Sequence, residues 1–183
     1  MATPTLNMPD DRRLEELGQD VVAAAYLKGR FVLRSGAVSS YYFDKYMLTT
    51  RPAILRRIAE ALAAMVPPET DRLAGPELGA VPLATAVSLE LGLPCLFVRK
   101  QAKGYGTADG FEGEIYPGER IVVIEDVLTT GSEAIRSARA LRDLGANVTE
   151  ILGVIDREEG AAASLAAAGF HFRALFTKSS LGL

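Results

Sequence analysis

The sequence predicts an α/β fold with a largely parallel central sheet of about five strands. Short aliphatic runs alternate with amphipathic helical patterns through the second half of the 183-residue chain. That alternation is typical of parallel strands joined by helical crossovers. Residues 121–124 are all aliphatic, which indicates a strand buried on both faces. No repeat or linker interrupts the pattern, so residues 1–183 are expected to form one domain.

The N-terminal part of the chain predicts a small hood beside this sheet. Residues 10–27 show an apolar stripe at helical spacing, and Gly29 is expected to end that helix. Two strands are expected next, at residues 31–34 and 41–47. The hood would therefore cover about residues 1–48.

Helices and strands then alternate. Pro52 is expected to open a helix, because its fixed φ suits the first helical turn. Residues 101–117 contain five Gly or Pro residues and little apolar periodicity, which predicts a long functional loop or flap over about residues 100–117. Besides residues 121–124, the expected strands of the main sheet are 73–75, 95–98, 151–155 and 172–176.

Composition and charge exclude several classes of function. The net charge of −3 gives no general affinity for nucleic acid or membranes, so an anionic ligand needs a local cluster of cations. No stretch approaches the length of a membrane span. Cys95 is the single cysteine, which fits a cytoplasmic protein without an internal disulfide. His171 is the only histidine, which argues against a His-rich metal site or a His-based triad.

Residues 125–132, Glu-Asp-Val-Leu-Thr-Thr-Gly-Ser, follow the buried strand and precede an amphipathic helix. In such a unit, backbone N–H groups and the positive helix end face the loop, and Gly131 lets a ligand come close. The hydroxyl-rich loop suits a phosphate. The adjacent acids Glu125 and Asp126 would repel a phosphate alone, but they could accept hydrogen bonds from sugar hydroxyls. An ordinary strand–helix turn with a Thr or Ser cap is the alternative.

This segment resembles the ribose 5-phosphate signature of type I phosphoribosyltransferases, whose shared substrate is phosphoribosyl pyrophosphate. The resemblance implies their Rossmann-like fold, and it implies that Glu125 and Asp126 hold the ribose hydroxyls and favour a positive sugar during catalysis. The loop at residues 129–132 would hold the 5′-phosphate. The implied contacts with the sugar phosphate are Glu125, Asp126, Val127, Leu128, Thr129, Thr130, Gly131, Ser132 and Glu133.

A second segment carries three cations, Arg99, Lys100 and Lys103, on a Gly-containing loop. A departing pyrophosphate needs such a cluster, although a solvated basic loop is the alternative. The segment looks like the catalytic flap of orotate phosphoribosyltransferases. That resemblance implies that all three cations contact pyrophosphate, with Lys103 as the mobile catalytic lysine. Tyr105 stands where the family has a histidine; its hydroxyl can donate to pyrophosphate but does not titrate near neutral pH. The loop containing Glu77 resembles one that approaches pyrophosphate.

The base site is implied by two further segments. The hood resembles the family segment that borders the base, where Arg34 would compensate substrate charge and Phe43 would pack on the ring; a hairpin with core aromatics is the alternative. Arg157 follows a predicted strand and could grip the orotate carboxylate through two hydrogen bonds. A local ion pair with Glu158 or Glu159 is its alternative. The implied orotate contacts are Arg34, Phe43, Thr129 and Arg157.

Together the resemblances cover nearly the whole chain. They imply an orotate phosphoribosyltransferase that uses Mg²⁺ and makes orotidine 5′-monophosphate and pyrophosphate in UMP biosynthesis. Arg99 and Lys103 commonly serve the neighbouring subunit in this family, so a homodimer with shared sites is implied. Mg²⁺ would be bound mainly by substrate oxygens, with no certain protein ligand. A purine or uracil phosphoribosyltransferase and a non-catalytic regulator that senses phosphoribosyl pyrophosphate are the alternatives.

Overall fold

The computed structural model describes residues 10–32, 36, 38–100 and 110–183. The strands are β1 (Tyr26–Val32), β2 (Val38–Phe43), β3 (Arg72–Pro76), β4 (Cys95–Val98), β5 (Phe111–Glu112), β6 (Arg120–Leu128), β7 (Asn147–Asp156) and β8 (His171–Thr177). The helices are α1 (Asp11–Ala25), α2 (Pro52–Ala63), α3 (Ala80–Leu91), α4 (Ser132–Asp143) and α5 (Ala161–Ala167), with a 3₁₀ helix at Lys45–Leu48.

Within the described residues, the main sheet has six strands in the order β5-β4-β3-β6-β7-β8, and β1 pairs with β2 in a separate antiparallel ribbon. Strands β3, β4, β6, β7 and β8 are parallel to their neighbours, whereas β5 is antiparallel to β4. The predicted α/β class is therefore confirmed, with one strand more than expected. The additional strand, Phe111–Glu112, lies in the stretch predicted as a loop, because two residues are too few to show a strand period.

Helices cover both faces of the sheet, and β6 shows why its sequence is apolar throughout. Val122 and Ile124 pack into a core that includes residues of α1, α2 and α3. Ile121 and Val123 point to the other face and pack with residues of α4 and α5. A strand with helices on both sides needs apolar residues in every position rather than in alternate ones. Among the described residues, no helix is both long and apolar enough to cross a bilayer.

The order of the strands creates a crevice in the middle of the sheet. From β3 the chain passes through α3 to β4 on one side, while β6 pairs with the other side of β3. Such a reversal separates the loops that leave the two central strands, so that a crevice forms at their carboxyl ends. Ligands of open α/β sheets bind in that crevice.

The hood begins differently from the prediction. Helix α1 ends at Ala25 and β1 starts at Tyr26, so Gly29 lies within a strand and does not end the helix. The Tyr26 ring stacks on Tyr41 of β2 with their centroids 5.3 Å apart. Antiparallel pairing with β2 thus overrides the helical pattern that continues to residue 27.

The second hood strand ends at Phe43, and the prediction that it continues to residue 47 is wrong. A 3₁₀ helix begins at Lys45, because the Asp44 carboxylate accepts a hydrogen bond from the Tyr46 N–H at 3.1 Å and caps the turn. This turn brings Lys45 and Tyr46 to the crevice.

Strand β6 is longer than the predicted run at residues 121–124. Its pairing with β7 continues to Leu128, which lies opposite Asp156. Glu125 and Asp126 therefore belong to the carboxyl end of the strand and do not follow it. Backbone pairing does not depend on side-chain polarity, which is why the apolar pattern ends earlier than the strand. The predicted start of α2 at Pro52 is confirmed.

Candidate active site

A cleft of about 180 Å³ opens at the crevice between β3 and β6. Every residue of the predicted sugar phosphate segment 125–133 lines it, except Thr130. The opposite wall contains Glu77 and Lys100, and the 3₁₀ helix of the hood contributes Lys45 and Tyr46. The fold thus brings together the acid pair, the hydroxyl-rich loop and one of the flap cations.

The carboxylate of Asp126 is held from two sides, and its side chain is only 4% exposed. Its Oδ1 accepts a hydrogen bond from the N–H of Val127 at 2.6 Å. Its Oδ2 lies 2.8 Å from the Nζ atom of Lys45. Burial disfavours the charge of Lys45, but the hydrogen bond with Asp126 and the attraction of Asp126, Tyr46 and Glu125 together outweigh burial, so the pKa of Lys45 lies above its usual value. The site therefore contains a closely matched ion pair before any substrate binds.

Glu125 is buried beside this pair. Burial in the sheet, followed by the repulsion of Asp126, raises the pKa of Glu125 to about 8, although the nearby Lys45 lowers it. Glu125 therefore holds its proton at neutral pH in the free protein. A protonated carboxyl can donate one hydrogen bond as well as accept, so the two neighbouring acids present different hydrogen-bonding groups to a sugar.

The loop after β6 leads directly into α4. Gly131 has a φ of 77° and is the N-cap residue of the helix, which begins at Ser132. Glycine has no side chain that could cap the first N–H groups of α4, and so they remain directed at the cleft. Thr130 Oγ1 lies 3.2 Å from Ser132 Oγ. Helix N-termini with these properties bind phosphate groups.

The wall opposite α4 is fixed by a contact between two loops. The Lys100 N–H donates a hydrogen bond of 2.6 Å to Glu77 Oε1, which ties the end of β4 to the loop after β3. The peptide bond between Glu77 and Leu78 is cis. This contact places the Lys100 side chain at the cleft.

A small slot lies next to the cleft and shares Val127 with it. Phe43 and Arg157, two of the predicted orotate contacts, line this slot, whereas Thr129 lines the sugar phosphate cleft. Arg157 Nη2 lies 2.9 Å from Glu159 Oε1 in a partly exposed ion pair. The local ion pair weighed as an alternative for Arg157 is thus present. The slot is lined by Tyr41, Phe43, Val127, Ile155, Arg157, Lys178 and Leu183.

Other predicted residues are not in the cleft. Arg99 does not line it, and its Nη1 lies 3.2 Å from Glu112 Oε1 on β5. Arg34, Lys103 and Tyr105 lie outside the described residues.

The sequence did not single out two cations that the structure places at these sites. Lys45 pairs with Asp126 in the cleft, and Lys178 lines the slot beside Arg157. Each belongs to an element that is distant in sequence from the residues it approaches. No local pattern could have indicated either contact, and the sequence had placed Lys45 inside the predicted strand at residues 41–47.

Comparison with known proteins agrees with this geometry. Residues 46–172 match the phosphoribosyl transferase domain family. An orotate phosphoribosyltransferase from Thermococcus gammatolerans is 44% identical over 174 residues, 93% of this chain and 90% of that protein. One from Halobacterium salinarum is 48% identical over 153 residues, 84% of this chain and 87% of that protein.

Among solved structures, the orotate phosphoribosyltransferase of Mycobacterium tuberculosis H37Rv in complex with 5-phospho-α-D-ribosyl 1-diphosphate superposes with a TM-score of 0.76. It is 31% identical, and the match covers 93% of this chain and 99% of that one. Sequence and fold thus agree over nearly the full length of both chains. The chain belongs to the orotate phosphoribosyltransferase family.

Proposed function

We propose that this chain transfers ribose 5-phosphate from phosphoribosyl pyrophosphate to N1 of orotate, giving orotidine 5′-monophosphate and pyrophosphate in UMP biosynthesis. One observation carries the proposal: in a member of this family, buried acids and an open helix N-terminus line a single cleft. The M. tuberculosis relative was crystallised with 5-phospho-α-D-ribosyl 1-diphosphate, the sugar donor of this reaction.

Different groups in the cleft would bind the phosphate and the ribose of the sugar phosphate. The N–H groups of the first turn of α4 and the hydroxyls at residues 129–132 would hold the 5′-phosphate. Glu125 and Asp126 would bind the ribose hydroxyls. During transfer the bond from C1 to the pyrophosphate oxygen breaks and a bond from C1 to N1 of orotate forms, so that positive charge develops on the sugar. The negative charge of Asp126 favours that state over the neutral sugar.

The leaving group needs cations, because negative charge grows on pyrophosphate as its bond to C1 breaks. Lys100 lines the cleft, and Arg99 and Lys103 complete the proposed set, with the Tyr105 hydroxyl as an additional donor. Among the described residues, no cluster of three or more His, Cys, Asp or Glu side chains is arranged to hold a metal. Mg²⁺ is expected to bind mainly through pyrophosphate oxygens, where it would neutralise negative charge.

The slot would receive the base. Its volume of about 20 Å³ holds roughly one water molecule, so a wall must move to admit a pyrimidine ring. The ion pair of Arg157 with Glu159 is partly exposed, and such pairs contribute little stability. Orotate can therefore replace Glu159 as the partner of Arg157, while Phe43 packs on the ring. Arg34 and Thr129 are the remaining proposed contacts.

The proposed assembly is a homodimer in the cytoplasm. Arg99 directly follows β4, but it pairs with Glu112 and does not line the cleft of its own chain. An arginine in that position can serve the site of a second copy. Lys103 would be supplied in the same way.

The decisive experiment is an absorbance assay of orotate consumption with phosphoribosyl pyrophosphate and Mg²⁺, run in parallel with adenine, hypoxanthine and uracil. Of the four bases, only orotate is expected to be turned over, and that turnover should be lost when EDTA removes the metal. Turnover with a purine or uracil but not orotate would reject the proposed substrate. No turnover with any base, combined with measurable binding of phosphoribosyl pyrophosphate, would favour a non-catalytic sensor.

A further inference from the structure

Lys45 occupies an unusual position for a hood residue. Its Nζ atom lies 2.8 Å from Asp126 Oδ2, and its side chain is 40% exposed at the mouth of the cleft. The ammonium also lies 5.7 Å from the centre of the Tyr46 ring, which further stabilises the cation at this place. Lys45 thus links the hood to the acid at the centre of the main sheet.

The orientation of the Asp126 carboxylate depends on this lysine. Oδ1 is fixed by the N–H of Val127, its neighbour in the chain. Oδ2 is buried, and among the described residues no hydrogen-bond donor other than the ammonium of Lys45 approaches it. Without Lys45, that oxygen would be left in a buried position with no counter-charge, which is costly. The carboxylate would then turn to find another partner.

Gly79 lies against the same oxygen of Asp126. A Cβ atom at residue 79 would lie 1.7 Å from Asp126 Oδ2 and 3.3 Å from Lys45 Nζ. The carboxylate therefore occupies the space that a side chain at this position would need. Gly79 has an ordinary helical φ of −68°, so the close approach, rather than backbone strain, requires glycine.

We propose that Lys45 is a positioning residue for the transfer reaction: its ammonium holds the Asp126 carboxylate against Gly79 in the orientation that accepts a ribose hydroxyl. The inference rests on the proposed function of the acid pair. The carboxylate retains acceptor capacity beyond its contacts with Val127 and Lys45, since each carboxylate oxygen can accept two hydrogen bonds. Lys45 acts through Asp126 and gives the hood a role in binding the sugar as well as the base.

The charge of Lys45 matters because acids dominate its surroundings. Lys45 lowers the pKa of Glu125, so removing the ammonium should raise the pKa of Glu125 further. Catalysis that needs a charged Glu125 would then begin at higher pH. The charged and titratable groups that face the pair from the surrounding elements are Tyr46, Glu77, Lys100 and Glu133.

The test compares Lys45→Met, which keeps the stem without the charge, with Lys45→Arg, which keeps the charge. Arg56→Ala removes an exposed cation from α2 and serves as the control. For each protein, kcat and KM for phosphoribosyl pyrophosphate are measured from pH 6 to 9 at saturating orotate. The substrates titrate identically in every assay, so a difference between variants reports the enzyme. Melting temperatures show whether each variant is folded.

On the acid side of the pH profile, kcat/KM falls as the pH is lowered; we call this part the acidic limb. In Lys45→Met we expect the acidic limb to move up by about one pH unit, with kcat/KM at pH 7 reduced roughly tenfold. Lys45→Arg should restore the limb and most of the activity, and Arg56→Ala should match the wild type. An unmoved limb in folded Lys45→Met would overturn the inference, as would equal losses in both Lys45 variants.

A second substitution tests the position of the Asp126 carboxylate if Lys45→Met does not fold. Gly79→Ala should push the carboxylate away from the ammonium and move the limb in the same direction while Lys45 is still present. An unchanged limb and unchanged kcat/KM in Gly79→Ala would contradict the proposal. An inactive wild type would refute the proposed function instead, because every comparison here starts from wild-type turnover.

Discussion

At the residue scale, the two neighbouring acids of β6 have different environments. Asp126 has a backbone donor and an ammonium, whereas Glu125 is buried with the negative Asp126 beside it. The repulsion of Asp126 adds to burial in raising the pKa of Glu125. A developing positive charge on ribose would favour the charged form of Glu125.

The buried Glu125 predicts a dependence of stability on pH. The unfolded chain releases this proton near pH 4.5, while the folded protein keeps it until about pH 8. Stability from this group is therefore complete below about pH 4.5 and is lost as the pH rises towards 8. Glu125→Gln cannot ionise, so its melting temperature should equal the wild type at pH 5 and exceed it by several degrees at pH 9.

Thermal unfolding at pH 5, 7 and 9 checks this prediction. Glu90→Gln removes an exposed acid from α3 and should change the melting temperature by no more than about one degree at each pH. Parallel curves for Glu125→Gln and wild type would show that Glu125 ionises normally in the folded protein.

Arg157 predicts how the base is recognised. Arg157→Ala should raise the KM for orotate about 30-fold, the loss expected for hydrogen bonds between charged groups, while the KM for phosphoribosyl pyrophosphate changes little. Steady-state kinetics with each substrate varied in turn measure both values. Glu159→Gln is the matched control, because it removes the ion pair but keeps the arginine. It should leave the KM for orotate equal to or below that of the wild type. An unchanged KM for orotate in Arg157→Ala would show that the arginine serves only its ion pair with Glu159.

At the scale of elements, the unit formed by β6, its loop and α4 combines two separate properties. The strand is apolar because both its faces are covered, and its final residues carry the acids. The helix is preceded by a glycine in the left-handed region, and therefore its first N–H groups face the cleft. The proposed phosphate and ribose contacts would thus come from opposite ends of one turn.

Gly131→Ala tests this unit. Its φ of 77° disfavours any residue with a Cβ, and that Cβ would lie 3.2 Å from Leu165. We expect a loss of stability of about 1 kcal/mol, a melting temperature lower by roughly 2–4 °C, and a raised KM for phosphoribosyl pyrophosphate as the loop shifts.

Gly169→Ala is the matched control for the backbone effect. Its φ of 76° is nearly the same, but nothing lies within 4 Å of the added Cβ. It is exposed between α5 and β8, away from the cleft. It should lower the melting temperature to a similar extent while the KM stays at the wild-type value. A KM increase in both variants would mean that the effect on binding is not local to the phosphate loop.

At the scale of the whole molecule, the proposed dimer predicts complementation between inactive variants. Asp126→Asn should disable the sugar site, and Lys103→Ala should disable the flap that serves the partner's site. Neither variant alone should turn over at an appreciable rate. After mixing under conditions that exchange subunits, activity should recover to about a quarter of the wild type, because half the dimers are mixed and each has one intact site. Activity is measured by orotate absorbance before and after exchange.

Two outcomes bear on the assembly. Recovery with a dimeric mass by light scattering supports shared sites. No recovery, although labelled subunits demonstrably exchange, would mean that each chain completes its own site.

The sequence alone was enough to predict a contiguous segment that the structure places at one cleft. Glu125, Asp126 and the loop at residues 129–132 are contiguous, and a strand followed by a helix fixes their relative positions through local geometry. The same reasoning failed for the hood boundaries, where pairing of β1 with β2 converts the end of a helical pattern into a strand. It also missed the two-residue strand β5, which exists only because β4 offers an edge.

What the sequence determined by itself was therefore the α/β class, the family and the segment that lines the cleft, because each is encoded in neighbouring residues or in a regular period. Tertiary structure alone decided which distant side chains meet that segment. Lys45 reaches Asp126 from the hood, Gly79 leaves room for the carboxylate, and Lys178 comes to lie beside Arg157. Such contacts depend on the order and register of strands in the folded sheet, and no local pattern in the chain records them.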